Sequence, residues 1–154
     1  MKAIANNMSP NHIYMMAPLE DEVQAILGLS PPFDPDATQA PIEECLSRIV
    51  KGTDYSHLST SPVDALGIFW GWTVKQSVNW DWTSIDIYVN DEYDHNTIGV
   101  CDRELRFMLL PQELFQKLVK QPHLPGPKQI FQAIKEGQLP KAKPRELVNI
   151  GDLF

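Results

Sequence analysis

The chain has 154 residues, 43% of them hydrophobic, and a formal charge of −7 at neutral pH. That length and apolar content suit one domain with a sizeable core, and the acidic balance argues against nucleic acid as a general partner. Two cysteines, Cys45 and Cys101, lie far apart without CxxC spacing. They exclude a zinc ribbon or disulfide framework and suit a reducing compartment.

The opening MKAIANNMSPNHIYMM holds no continuous apolar run, so a secretory signal is not expected. VDALGIFWGW is too short to span a membrane and is flanked by Asp64 and Lys75. The expectation is a cytoplasmic protein without membrane association. Charge is uneven along the chain. Residues 1–104 carry sixteen acidic against five basic side chains, whereas residues 105–154 carry four acidic and eight basic. The basic stretch has few aromatics to stack bases, so it reads as a solvated face.

In chain order, PLEDEVQAILG predicts a first helix. Pro18 and the acids after it mark the start, Leu19, Val23, Ile26 and Leu27 share a face, and Gly28 is a stop. Residues 29–41 include SPPFDPDATQAP, with four prolines in twelve residues, and predict a loop or arm. A second helix follows in PIEECLSRIVKG, with Ile42, Cys45, Leu46, Ile49 and Val50 as its stripe and Gly52 as its end. TDYSHLSTS is a connection. Ser61 is placed as the N-cap and Pro62 as the first residue of a third helix, apolar nearly all round and therefore central. Gly67 and Gly71 on that helix imply close approach of another backbone, because each lowers helix propensity by roughly 1 kcal/mol.

NWDWTSIDIYVN alternates. Trp80, Trp82, Ser84, Asp86 and Tyr88 point one way, and Thr83, Ile85, Ile87 and Val89 the other. The aliphatic set is expected to face the helices, leaving the two tryptophans on the opposite, partly open face. DEYDHN reads as the turn, TIGVCD and LRFMLL as two further strands around a tight DRE turn. Helices follow in PQELFQKLVK and PKQIFQAIKEG. The Pro-rich tail, residues 138–154, ends in apolar residues and is expected to pack on the body. The order helix–helix–helix–strand–strand–strand–helix–helix predicts a single α+β domain over residues 1–154. Its expected core is a three-stranded antiparallel meander packed with about five helices.

Catalytic signatures are missing from the sequence. Four scattered histidines lack metal-ligand spacing, and there is no GxSxG, GxGxxG or P-loop run. Neither a catalytic set, a metal nor a cofactor is expected. The acidic run Asp91, Glu92, Tyr93, Asp94, His95 could supply oxygen ligands but lacks EF-hand spacing, so it reads as a charged turn. Beside it, Trp80, Asp81, Trp82, Asp86 and Tyr88 complete a candidate partner surface: aromatic anchors ringed by acids. Arm 29–41 is the alternative, structural cover for those aromatics.

The run SPVDALGIFWGWTVKQSVNWDWTSIDIYVNDEYDHNTIGVCDRELRFMLLPQELFQKLV, roughly residues 61–120, resembles a pattern of small bacterial proteins. In that pattern a glycine-containing helix leads to a Trp-bearing strand, an acidic turn, two more strands and a proline-led helix. Asp94-His95 stands here where a glycine would ease the turn. Several such proteins look like immunity proteins that neutralise a cognate antibacterial toxin. The resemblance implies an acidic binding or inhibitor protein that occludes a protein partner. It is architectural and carries over no functional residue. Two other readings stay open: an adaptor or subunit of a bacterial assembly, and an enzyme whose site is built around Asp91–His95.

Overall fold

The alternating residues around 81–101 form the centre of a five-stranded mixed sheet of order β1-β2-β3-β4-β5. A computed structural model describes residues 1–9, 12, 16, 22–29, 32–55 and 61–154. The strands are β1 (Lys2–Asn6), β2 (Asp81–Val89), β3 (Glu92–Cys101), β4 (Phe107–Leu109) and β5 (Val148–Asn149). The helices are α1 (residues 22–27), α2 (Gln39–Val50), α3 (Pro62–Val78), α4 (Pro111–Lys120) and α5 (Pro127–Lys135). A 3-10 turn, Ile150–Asp152, follows β5. The expected start of α1 at Pro18 and the stretch 56–60 of the connection lie outside the described residues.

The fold is α+β, but the sheet is not the expected three-stranded antiparallel meander. β2, β3 and β4 do form such a meander at its centre. β1 then adds antiparallel to β2, and β5 adds parallel to β4, which makes the sheet mixed. Both additions are weak as local signals. KAIAN alternates with alanines, and β5 is two residues in a Pro-rich tail. Tertiary pairing, rather than propensity, makes them strands. The tail is held through Arg145 N–H to Glu104 O (2.9 Å), Leu147 N–H to Leu105 O (3.0 Å) and Val148 N–H to Arg106 O (2.8 Å).

The turn also lies elsewhere than expected. Asn90 and Asp91 have φ of 52° and 63°, so the hairpin closes there in a two-residue loop, and Glu92 onward belongs to β3. Two positive φ values match the right-handed twist of paired strands, and asparagine tolerates them best after glycine. At the other end of β3, buried Asp102 organises the 102–106 loop. Its carboxylate accepts the backbone N–H groups of Arg106 (2.7 Å) and Phe107 (2.9 Å) and the Arg106 Nε–H (2.8 Å). Leu105, at φ 56°, is drawn into that loop, which shortens β4.

The sheet faces are reversed relative to expectation. Trp82, Val100, Phe107 and Leu109 point to the helical layer and join the main core with Leu66, Trp70, Phe115 and Ile130. Ile85, Ile87, Cys101, Met108, Leu110 and Leu147 form a smaller cluster on the other side. Alternation fixes which residues share a face. With apolar residues on both faces it does not fix which face meets the helices. Packing volume decides, and the large Trp82 ring fills the notch left by Gly71. A Cβ on Gly71 would lie 2.8 Å from Trp82 Cη2 and 2.8 Å from Pro111 Cγ.

α3 is the central helix. Ser61 is its N-cap position without a side-chain cap bond, Pro62 is its first residue, and Asn79 ends it at φ 57°. At Gly67 another backbone does come close: an added Cβ would meet Pro111 O at 2.8 Å and Pro111 C at 3.1 Å. The two glycines thus form the seat for the first turn of α4. α2 begins at Gln39 rather than at the expected Pro41, so the arm is shorter than 29–41, and both the described part of the arm and the first residue of α2 pack on α3. Phe33 meets Phe69 edge-on at 5.0 Å. Buried Gln39 accepts from Trp70 Nε1–H (2.9 Å) and donates to Pro35 O (2.8 Å) and Thr73 Oγ1 (3.0 Å).

Candidate functional site: the outer end of the β2–β3 hairpin

The register pairs Ile87 with His95 and Tyr88 with Tyr93, which leaves Asp94 as an extra residue in β3. Such a bulge bends the strand and re-aims its side chains. Tyr93 is 59% exposed and Val89 44% exposed, and Ile4 on β1 is 39% exposed. Tyr88 braces Tyr93 edge-on, with ring centroids 5.8 Å apart. Asp91, Glu92 and Asp94 are exposed around them. An exposed aromatic ring held by a second ring, with exposed carboxylates on neighbouring residues of the same hairpin end, is suited to docking against a basic surface.

Behind this rim, Asp86 is fixed by asparagines. Its Oδ2 accepts from Asn6 Nδ2 and its Oδ1 from Asn96 Nδ2, at 2.8 and 2.9 Å. Asn96 Nδ2 also reaches Ser84 Oγ at 2.9 Å. The network joins β1, β2 and β3 on the face that, further in, carries Trp82.

His95 lies on the opposite face. Its Nδ1 is 2.5 Å from Asp94 Oδ2 and its Nε2 is 2.6 Å from Glu113 Oε1 of α4. The hydrogen bonds to Asp94 and then Glu113 hold its proton more tightly than in an ordinary histidine, against a smaller opposing effect of burial. With a carboxylate at each nitrogen, the ring donates to both when it carries both protons. Glu113 comes from eighteen residues away and carried no local signal beyond a favourable first-turn acid.

The candidate surface residues therefore divide. Tyr88, Asp91, Glu92, Tyr93 and Asp94 gather at the hairpin end, with Asp86 just behind. Asp81 is exposed at the far end of β2. Trp80 and Trp82 are half-buried and pack against the main core, Trp80 stacking on Phe107 at 6.4 Å. Their cover includes the main core, to whose periphery Phe33 of arm 29–41 also belongs. The surface tryptophan is Trp72, 40% exposed on α3, which the all-round apolar character of that helix concealed.

Elsewhere, a groove of about 720 Å³ between α2 and α5 is floored by Leu46, Val50, Leu118 and Leu124. Glu43 at its edge accepts the Lys128 N–H at 3.0 Å. Both cysteines are buried and free. Burial pushes the Cys101 thiol up to about 11 and raises Cys45 too, so neither is a thiolate at neutral pH. Among the described residues no grouping of His, Cys, Asp and Glu could hold a metal ion, and no helix is long and apolar enough to cross a membrane. No protein-family model, curated protein or solved structure matches the chain.

Proposed function

We propose that the chain is an acidic binding protein that occludes a protein partner, acting as an immunity protein that neutralises a cognate bacterial toxin. The outer end of the β2–β3 hairpin is its docking surface. One observation carries this reading: the exposed Tyr93, braced by Tyr88, stands among Asp91, Glu92 and Asp94. The acids would steer a basic partner and speed encounter, while the ring and Ile4, on the same face of the sheet, would supply desolvated contact. Trp80 and Trp82 leave the list of anchors because their rings serve the core.

The test is affinity capture from the source cells with the natural protein and with an Asp91→Lys, Glu92→Lys double variant, followed by mass spectrometry. The reading predicts a captured protein that arrests growth when expressed alone. The natural chain should neutralise it, and the double variant should not. Capture of the same proteins by both forms would move the interface elsewhere. A captured partner without toxicity would refute the immunity role.

A further inference from the structure

On its β3 side, β4 reaches Val100 and Cys101 at the inner end of that strand. The outer part of β3 therefore has no strand neighbour on that side among the described residues. His95 sits on this stretch, and its bond to Glu113 crosses the open edge to the first turn of α4. The charged groups facing the ring are Asp94 from β3 and Glu113 from α4. β2 presents Ile87 opposite it, and Asp86 of β2 is on the other face, engaged with Asn6 and Asn96.

We propose that His95 is a proton-operated latch between the outer hairpin and α4. With a proton on each ring nitrogen, the imidazolium donates to both carboxylates and ties β3 to the helix. When one proton passes to solvent, one nitrogen keeps only a lone pair, which repels the carboxylate it had held. Glu113 is the partner released. Asp94 is the adjacent residue and stays near the ring at little entropic cost, whereas Glu113 must be held by a longer side chain from another element. Release frees the outer β3 edge and removes one positive charge from an already acidic end.

The sign follows from proton linkage. The folded state holds the His95 proton more tightly than the unfolded chain, whose histidine releases it near a pH of about 6.5. The latch contributes fully below that pH and is lost as pH rises through the higher folded value. This is a property of the free protein and stands apart from the docking reading.

The test is nuclear magnetic resonance on the free, isotope-labelled chain from pH 5 to 9. The His95 ring resonances and the exchange of the Tyr93–Thr97 amides, corrected for base catalysis, would be followed together. The latch predicts a His95 midpoint above that of an ordinary histidine. It also predicts a loss of amide protection of about threefold through the same midpoint, the scale of a partly exposed ion pair. In Glu113→Ala the midpoint should fall, and protection should be low and independent of pH. His95→Gln, checked for folding by its amide spectrum, should match the high-pH natural protein. A midpoint at or below the ordinary value overturns the latch. So does protection that ignores the titration, or that changes equally in Glu113→Ala.

Discussion

Between Asp81 and Ile85, and opposite them between Thr97 and Cys101, the β2–β3 ladder is packed on both sides. Trp82 and Val100 meet the helices, and Ile85 and Cys101 join the smaller cluster behind. Between Asp86 and Val89 the same ladder carries an asparagine–aspartate network on one face, a histidine between two carboxylates on the other, and exposed tyrosine at its tip. One hairpin thus has an inner half that holds the molecule together and an outer half available to a partner. The outer half can carry charge and exposed aromatics because the inner half already supplies the apolar burial that fixes the register.

The largest expected effect lies on the inner side. Gly67→Leu must displace the Pro111 backbone, which cannot rotate away as a side chain can, so a loss of about 3 kcal/mol is expected, the upper end for overpacking. Urea denaturation measures it, and an unchanged midpoint would mean that α4 is not seated on α3. Next, Trp82→Ala should lower stability by about 2–3 kcal/mol, below the fully buried value because the ring is only half-buried. Trp82→Phe should be milder, about 1 kcal/mol or a little above, because the buried indole N–H has no partner to lose among the described residues. Equal losses from the two substitutions would show that the far end of the indole, which fills the Gly71 notch and which phenylalanine lacks, carries the whole contribution.

On the outer side the effects should leave stability and move to binding. Tyr93→Ala should shift the denaturation midpoint by no more than about 0.5 kcal/mol, as for a surface position, while speeding dissociation of a partner once one is in hand. Asp91→Lys with Glu92→Lys should instead slow association and flatten its salt dependence. If Tyr93→Ala unfolds the protein, the outer half of the hairpin is structural too.

Much of this layout was legible from residues in sequence. Pro62 and Pro111 at helix starts, the Ile42, Cys45 and Leu46 part of the α2 stripe, and the Gly67 notch all follow from local rules that tertiary packing respected, whereas Val50 at the end of that stripe is exposed. The face of β2 did not, because Ile85 and Trp82 are both apolar and period-two alternation is symmetric between them. The expected turn at 91–96 follows the run of charge there, whereas the backbone signal for the turn is the Asn90-Asp91 pair, both at positive φ. His95 was visible as a residue, but its partner Glu113 was not, since only the fold brings β3 and α4 together. Gln39 was equally hidden, lying in a stretch where prolines suggested only a loop.

The outer strands of the sheet also set an order in time. Lys2 pairs with Tyr88, and Met108 pairs with Asn149. Each pairing closes a long stretch of chain, whereas the β2–β3 hairpin closes through two residues. Local pairings form early and distant ones late, because loop entropy must be overcome before distant contacts repay it. The hairpin should therefore be protected first during refolding, and β1 and β5 last. Pulse-labelled amide exchange would show this as early protection at Ile85 and Ile98 and late protection at Ala3 and Val148. Until those edges arrive, the β2–β3–β4 meander has open flanks, which makes the interval before β1 and β5 dock the period of greatest exposure to aggregation.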